Sequence, residues 1–376
     1  MTIRPFMAAR RRFVTAGAAA ALAGCARGPA ALRPTPDDGV TLEHVPAAEW
    51  PTAEPRDLGL DAAALDAVLA DAAATSGLRS LVVVRDGALV AEGYWRGATE
   101  ATLLPVASVT KSVASMLAGI ALGHGRLGGS AALERRVAEL LPEAAARAGA
   151  AATTGDVTLG SILAGRSGVA FDVFAADRLA RAADPVQFAL TLPRVAAPPS
   201  GWTYNDPLVG LLAPILERSE GADLVVLAER GLFAPLGIRR FAWRRDALGR
   251  PMSYGGLALR TRDLAKLGWV IAAQGRWRER DVVPAAWAAR SITPHGPADW
   301  RLPPLRDIGY GDLWFTGSLD GRPLAWAWGY GGQFALVAPQ QRLVVATAAS
   351  APRLDELGTQ TNAIGALVAR VVRAAG

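Results

Sequence analysis

Ser108-Val109-Thr110-Lys111 is the stretch of this 376-residue chain that decides the fold. It opens an apolar segment that Gly123 and Gly125 end, and its spacing predicts a helix. Residues three apart lie on one face of a helix, so the hydroxyl of Ser108 and the amine of Lys111 can touch. The apolar positions at helical spacing are Val109, Val113, Met116, Leu117 and Ile120.

The Ser108–Lys111 pair has the chemistry of an activated nucleophile. A serine hydroxyl attacks poorly until a base takes its proton. Lysine can be that base if burial and the helix dipole lower its pKa. The chain has only two lysines, Lys111 and Lys266, among many arginines, which indicates that an amine able to lose its proton is wanted at this position. The alternative is a helix start in which Ser108 is the cap and Lys111 is solvated.

The composition is that of a globular protein, with 51% hydrophobic and 20% charged residues. The length suits one large domain or two lobes. The net charge of +6 is concentrated at the N-terminus, because residues 1–24 hold four arginines and no acidic residue. Without them, 36 basic residues (40 − 4) face 34 acidic residues. The remaining arginines are scattered, so no nucleic-acid partner is predicted.

The N-terminus has the pattern of an export signal. A basic start precedes an apolar run from Phe13 to Gly24, which is too short to span a bilayer. Leu22-Ala23-Gly24-Cys25 resembles the bacterial lipobox, and the residues from Arg10 to Val14 resemble a twin-arginine signal, with an ordinary basic Sec start as the alternative. We therefore expect a signal peptide over 1–24, lipidation of Cys25, and a lipid-anchored protein of the cell envelope that contacts the membrane through its anchor. Cys25 is the only cysteine, so no intramolecular disulfide is possible.

The rest of the chain predicts an α+β fold. Prolines indicate an extended tether over 25–56, and a hairpin with its turn at Asp86-Gly87 follows. Sequence typical of strands lies at both ends of 57–374, so we expect one antiparallel sheet flanked by helices, with an all-helical lobe (126–245) inserted. Helices are predicted after Asp61 over Ala62–Ala74 and at 131–141, 158–165, 186–192, 207–220, 222–231, 261–274 and 354–373, and late strands at 310–316, 324–329, 333–338 and 342–348.

Two further stretches add to the first. They are Tyr204-Asn205-Asp206 and Trp328-Gly329-Tyr330-Gly331-Gly332-Gln333. With Ser108-Val109-Thr110-Lys111 they resemble the three motifs of the serine β-lactamase and penicillin-binding-protein superfamily, in the branch of class C β-lactamases, esterases and 6-aminohexanoate-dimer hydrolases. The resemblance covers roughly residues 57–374. It is supported by Leu163–Val169, Gly255-Gly256-Leu257 with Asp263-Leu264-Ala265, and Gly309-Tyr310-Gly311.

The resemblance implies a role for each stretch. Ser108 would attack a carbonyl and form an acyl-enzyme, while Lys111 and Tyr204 would move protons. The backbone N–H groups of Ser108 and Gln333 would form the oxyanion hole. Glycines in the third stretch would let substrate lie close to the backbone. The residues that would contact substrate are Asp206, Trp328, Tyr330, Gly331 and Gly332; for Trp328 the alternative is packing in the core.

Two positions depart from the family pattern. Penicillin-recognising members usually have a cation where this chain has Tyr330, and asparagine where it has Asp206. Both departures disfavour β-lactamase and peptidase activity and leave esterase and amidase chemistry open. An ionised Asp206 near Lys111 would favour the protonated amine and make Tyr204 the base toward Ser108. The alternative is that Asp206 caps its own helix.

The predicted function is therefore a serine hydrolase that cleaves a small-molecule ester or amide. The alternative is a non-catalytic envelope receptor that keeps this fold to bind a ligand, a cell-wall peptide or a β-lactam. No cofactor is expected, and no metal, because His44, His124 and His295 have no ligand spacing. No feature of the sequence indicates an oligomeric state.

Overall fold

An antiparallel sheet of eight strands forms the centre of the fold. The computed structural model describes residues 39–45, 48–171 and 176–376. The large sheet has the order β3-β2-β14-β13-β12-β11-β10-β9, and a four-stranded sheet has the order β1-β5-β6-β4. In chain order these strands are β1 (Val40–Thr41), β2 (Leu78–Arg85), β3 (Ala88–Tyr94), β4 (Leu104–Pro105), β5 (Arg240–Trp243), β6 (Leu257–Leu259), β7 (Arg276–Trp277), β8 (Arg280–Asp281), β9 (Gly296–Pro297), β10 (Arg306–Tyr310), β11 (Phe315–Leu319), β12 (Arg322–Gly329), β13 (Gln333–Ala338) and β14 (Leu343–Ala349).

The helices lie against the large sheet and in the segment between β4 and β5. The long ones are α1, α2, α11 and α13, and those between Glu134 and Arg230 are short. Their bounds are α1 (Ala62–Ala74), α2 (Val109–His124), α3 (Val137–Leu140), α4 (Pro142–Ala148), α5 (Leu159–Leu163), α6 (Ala176–Ala180), α7 (Pro185–Leu190), α8 (Asp206–Gly210), α9 (Leu212–Glu220), α10 (Leu224–Ala228), α11 (Thr261–Ala272), α12 (Ala285–Ser291) and α13 (Leu357–Ala374).

The predicted hairpin at Asp86-Gly87 is confirmed as β2 and β3. Both turn residues have positive φ, 51° and 78°, which suits the twist of two antiparallel strands. Every residue of β13 and β14 is buried, so both faces of the sheet centre are covered. Helix α11 packs closely on this centre, since a Cβ at Gly268 would lie 2.8 Å from Val344.

Several predicted helices are confirmed, and others are shorter than expected. Helix α1 begins after Asp61, whose carboxylate accepts a hydrogen bond from the Ala64 N–H. Helices α11 and α13 match their predicted ranges closely. The helix predicted over 131–141 is instead a 3₁₀ helix (Gly129–Glu134) followed by α3, and the one predicted over 207–220 is divided into α8 and α9.

The strand predicted over 310–316 is wrong. Tyr310 ends β10 and Phe315 begins β11, and the residues between them form the turn. Leu313 has a φ of 62° there, which a strand does not allow. Buried Asp312 forms an ion pair with Arg290, whose Nε lies 2.9 Å from the Asp312 Oδ2. Because Arg290 belongs to α12, this helix stabilises the turn.

The second half of the predicted tether is packed on the body. Strand β1 pairs with β5, and the Trp50 ring lies 4.8 Å from that of Trp277. Residues 25–38, the first part of the tether predicted over 25–56, lie outside the described residues together with the signal sequence. Within the described residues, no helix has the length and apolar character to cross a membrane.

Candidate active site

Ser108 lies immediately before α2, at the base of a tightly held turn. The preceding Ala107 has a positive φ of 48°, and its carbonyl accepts a hydrogen bond of 2.6 Å from Thr110 Oγ1. The backbone N–H of Val106 donates to the Leu257 carbonyl on β6. These two hydrogen bonds hold the backbone just before Ser108, and they fix the position of Ser108 relative to the helix. Ser108 is 2% exposed and its side chain does not cap α2.

Lys111 makes close polar contacts with Ser108, Tyr254 and Asp206. Its Nζ lies 2.9 Å from Ser108 Oγ, 2.7 Å from the Tyr254 carbonyl and 2.8 Å from Asp206 Oδ1. Lys111 is 2% exposed, so the alternative in which it is solvated is wrong. A carbonyl and a carboxylate can only accept, so two N–H groups of Lys111 are used on Tyr254 and Asp206. The remaining tetrahedral position on Nζ, which holds either an N–H or a lone pair, faces Ser108.

The Ser108–Lys111 contact can exist in two protonation states. In the ammonium form, the third N–H donates to Ser108 Oγ. In the neutral form, the lone pair of Nζ faces the hydroxyl and can accept its proton. The Asp206 carboxylate favours the ammonium form, because an opposite charge stabilises the charged state. Lys111 can therefore accept the Ser108 proton only in its neutral form.

Asn205, and not Asp206, caps helix α8. Its Oδ1 accepts a hydrogen bond of 3.0 Å from the Leu208 N–H, and its Nδ2 donates to the Val169 carbonyl at 3.3 Å. Asp206 occupies the next position and is 2% exposed, which directs its carboxylate to Lys111. The contact that the sequence analysis expected between Asp206 and Lys111 is therefore present, and the capping alternative is wrong.

Tyr204 lies beside Lys111 and within a group of aromatic side chains. Its ring centroid is 4.7 Å from Lys111 Nζ and 4.7 Å from the Trp300 ring centroid. Burial raises the pKa of nearby Tyr310 well above its ordinary value, with a further contribution from Tyr204, so Tyr310 stays neutral. The aromatic side chains around Tyr204 are connected by ring contacts, and we call them the aromatic cluster. Its members are Trp202, Tyr204, Trp300, Tyr310, Phe315, Trp326 and Trp328.

The third stretch forms the turn between β12 and β13. The Tyr330 hydroxyl donates to the Pro352 carbonyl at 3.0 Å, and Tyr330 is 3% exposed. Gly331 and Gly332 have φ of 83° and 97°, and a Cβ on them would lie 2.6 Å from Pro352 and Ile364, respectively. The turn and the packing against α13 therefore explain both glycines without a substrate.

The side chain of Gln333 holds this turn to the neighbouring strand. Its Oε1 accepts from the Ala349 N–H at 2.7 Å, and its Nε2 donates to the carbonyls of Tyr330 and Ala349. The residue begins β13 opposite Gly329 on β12. A Cβ at Gly329 would lie 2.4 Å from the Val106 carbonyl, so the hairpin approaches the segment that carries Ser108. An oxyanion hole from the N–H groups of Ser108 and Gln333 stays a prediction.

Sequence reasoning missed two parts of the site. Tyr254 contributes its backbone carbonyl, for which side-chain identity gives no signal. Trp300 lies in an irregular segment between β9 and β10, and nothing in the sequence there indicates contact with Tyr204. Trp328, predicted as a substrate contact, lies 5.1 Å from Trp300 and is 6% exposed.

An antiparallel sheet flanked by helices, with a buried serine–lysine pair at the start of one helix, defines the β-lactamase/transpeptidase class of folds. The family model for Beta-lactamase matches residues 65–370, and the chain belongs to this family. No curated protein sequence gives a significant match.

Solved structures show the same fold at low sequence identity. A proposed 6-aminohexanoate-dimer hydrolase from Bacillus anthracis is 17% identical, with a TM-score of 0.68 over 91% of this chain and 88% of that one. A proposed β-lactamase from Bacteroides dorei DSM 17855 is 19% identical, with a TM-score of 0.67 over 84% and 98%. A D-stereospecific amidohydrolase from Streptomyces is 19% identical, with a TM-score of 0.59 over 77% and 94%.

Proposed function

We propose that this protein is a serine hydrolase that cleaves an ester or amide through an acyl-enzyme on Ser108. The observation that carries the proposal is the 2.9 Å contact between Lys111 Nζ and Ser108 Oγ, in a buried site where the other two positions on Nζ have acceptors. The names of the structural neighbours, among them a dimer hydrolase and an amidohydrolase, agree with this chemistry.

The proposed reaction has two halves. In the first, Ser108 Oγ attacks the substrate carbonyl and its proton passes to Lys111 or Tyr204. The bond to the leaving group then breaks, and Tyr204 returns a proton to the departing oxygen or nitrogen. In the second half, water attacks the ester on Ser108, and the acid product leaves with the serine proton restored. The N–H groups of Ser108 and Gln333 would stabilise the oxyanion in both halves.

The experiment is labelling of the purified protein with a fluorophosphonate probe, followed by mass spectrometry of the adduct. We expect one adduct on Ser108, and burst release from a chromogenic short-chain ester with a similar amplitude. The Ser108→Ala variant should give neither. Labelling that persists unchanged in Ser108→Ala would refute the assignment of the nucleophile.

The Asp206–Lys111 ion pair favours a second candidate, a non-catalytic envelope receptor of the same fold. An ammonium cannot accept the serine proton, so Ser108 would be inert if Tyr204 did not take that proton either. The same experiment separates the candidates, because a receptor would bind ligand without a burst. The location that we propose for either candidate is the cell envelope, with the lipid on Cys25.

A further inference from the structure

Trp300 lies on an extended strap at the surface of the site. Along residues 298–302, burial alternates: Ala298, Trp300 and Leu302 point inward, whereas Asp299 and Arg301 are exposed. Such alternation is typical of an extended segment that covers an apolar surface. The Trp300 ring is therefore the member of the aromatic cluster that lies directly beneath this outer segment.

The strap is held at both ends. The Ala298 N–H donates to the Ile308 carbonyl at 2.9 Å. Leu302 packs against α13 so closely that a Cβ at Gly365 would lie 2.7 Å from its Cδ1. Trp300 is thus kept in place between two anchored residues.

Trp300 joins aromatic residues from two separate parts of the fold. On the lobe side, its ring centroid lies 4.7 Å from Tyr204 and 5.5 Å from Trp202. On the sheet side, it lies 5.2 Å from Phe315 and 5.1 Å from Trp328. Trp300 is 6% exposed. Its ring fills the space beside Tyr204, which we propose as the proton donor to the leaving group.

We propose that Trp300 limits the size of the leaving group, so that the substrates are esters or amides with a small departing alcohol or amine. The inference rests on the proposed function, because it needs Tyr204 to protonate the leaving group. A bulky leaving group would have to displace a ring that packs on four others, and packed interiors tolerate added volume poorly. The acyl group is on the other side of the cleaved bond from the leaving group, so we expect its size to matter much less at this ring.

The test uses two pairs of esters and the variant Trp300→Leu. Methyl and benzyl acetate differ in the leaving group, whereas ethyl acetate and ethyl hexanoate differ in the acyl group. We expect Trp300→Leu to raise the benzyl-to-methyl ratio of kcat/KM by about tenfold or more, since a pocket discriminates by roughly that factor for each misfitting carbon group. The hexanoate-to-acetate ratio should stay within about twofold.

Trp277→Leu is the matched control. Trp277 is 4% exposed and its ring contacts Trp50; none of its ring contacts within the described residues involves the aromatic cluster. It should lose stability as Trp300→Leu does but keep both ratios of the parent. If Trp300→Leu fails to fold, Trp300→Phe replaces it; its smaller aromatic ring should raise the benzyl-to-methyl ratio above that of the parent.

The outcomes are distinguishable. An unchanged benzyl-to-methyl ratio in the folded Trp300 variants, or a change confined to the acyl pair, overturns the inference and leaves the proposed function standing. A parent protein that hydrolyses none of the four esters and forms no adduct on Ser108 overturns the proposed function, and this inference with it.

Discussion

The carboxylate of Asp206 lies 2.8 Å from the Nζ atom of Lys111, and both residues are 2% exposed. A buried charge pair of this kind interacts more strongly than one in water, because the local dielectric is low. Asp206 is therefore placed to favour the protonated form of the Lys111 amine, which faces Ser108. Its neighbour Asn205 provides the helix cap, which leaves the Asp206 carboxylate available for this contact.

The first prediction is that Asp206→Asn changes the pH dependence of acylation. Without the carboxylate, the protonated form of Lys111 loses its stabilising partner, so proton loss should occur at lower pH. The limb of the acylation rate that reports this proton should move down by about one pH unit or more. The measurement is the rate of the ester burst as a function of pH in the parent and the variant.

Asp223→Asn is the control for this change of charge. Asp223 caps α10 through the Val225 N–H and pairs with Arg245, and asparagine is an equally good cap. It removes the same charge from the helical lobe, and we expect a profile that overlays the parent. If Asp206→Asn also overlays the parent, Asp206 does not control the reacting proton.

The short-range part of the site could be predicted from the sequence. Ser108 and Lys111 are three residues apart in an apolar helix, so local geometry alone brings them together. The choice between Asn205 and Asp206 as the cap could not be predicted, since both residue types are good caps and only the tertiary position of Lys111 decides between them. The Tyr254 carbonyl was equally hidden, because every residue has one.

In the fold, too, local features could be predicted from the sequence, whereas contacts between residues far apart in the chain could not. The hairpin around Asp86-Gly87 was predictable because the turn needs positive φ at both positions, and those residue types allow it. The turn around Asp312 was not, because its apolar flanks look like one continuous strand. It is stabilised by Arg290 and by His295, whose Nε2 lies 3.0 Å from Asp312 Oδ1, and sequence spacing does not reveal those contacts.

The second prediction is weak β-lactam hydrolysis beside measurable esterase activity. The Tyr330 hydroxyl donates to the Pro352 carbonyl, and its residue brings no positive charge to a substrate carboxylate. A charge-assisted hydrogen bond is worth about 1.5–3 kcal/mol, or roughly one to two decades in kcat/KM. Nitrocefin and a short-chain ester should be compared on one preparation. Equal turnover of the two would contradict the prediction.

The third prediction concerns the lipid on Cys25. The apolar run that ends in Leu22-Ala23-Gly24-Cys25 motivates it. Cells that express the parent should incorporate radiolabelled palmitate into the protein and retain it in the membrane fraction. The Cys25→Ala variant should lose both properties, and label that remains on this variant would show that the anchor lies elsewhere.

The fourth prediction is that the Asp184 carboxylate stabilises the folded protein at neutral pH and that this stabilisation is lost in acid. Burial acts to raise the pKa of this carboxyl, but hydrogen bonds from Arg250 and from the Gln187 N–H outweigh it and lower the pKa. A lowered pKa means that the stabilisation is present above the unfolded value of about 3.9 and is lost as the pH falls through the folded value. Asp184→Asn keeps a good cap for α7, so it isolates the charge. The unfolding free energies of parent and variant should differ at neutral pH and converge in acid, whereas a constant difference would show that the charge is not the cause.

The last prediction compares two substitutions in the ion pair of Lys266, the other lysine of the chain. Lys266 and Asp263 are both 0% exposed and lie 2.8 Å apart in the first half of α11. Asp263 also accepts two hydrogen bonds from Arg260, at 2.6 and 3.0 Å. Asp263→Asn leaves a buried ammonium without its counter-charge, which should cost about 3–5 kcal/mol. Lys266→Met removes the ammonium and leaves Asp263 paired with Arg260, so its cost should be clearly smaller. Urea unfolding of both variants gives the two free energies, and an equal or reversed order would show that the Asp263 carboxylate does not hold Lys266 as a charged pair.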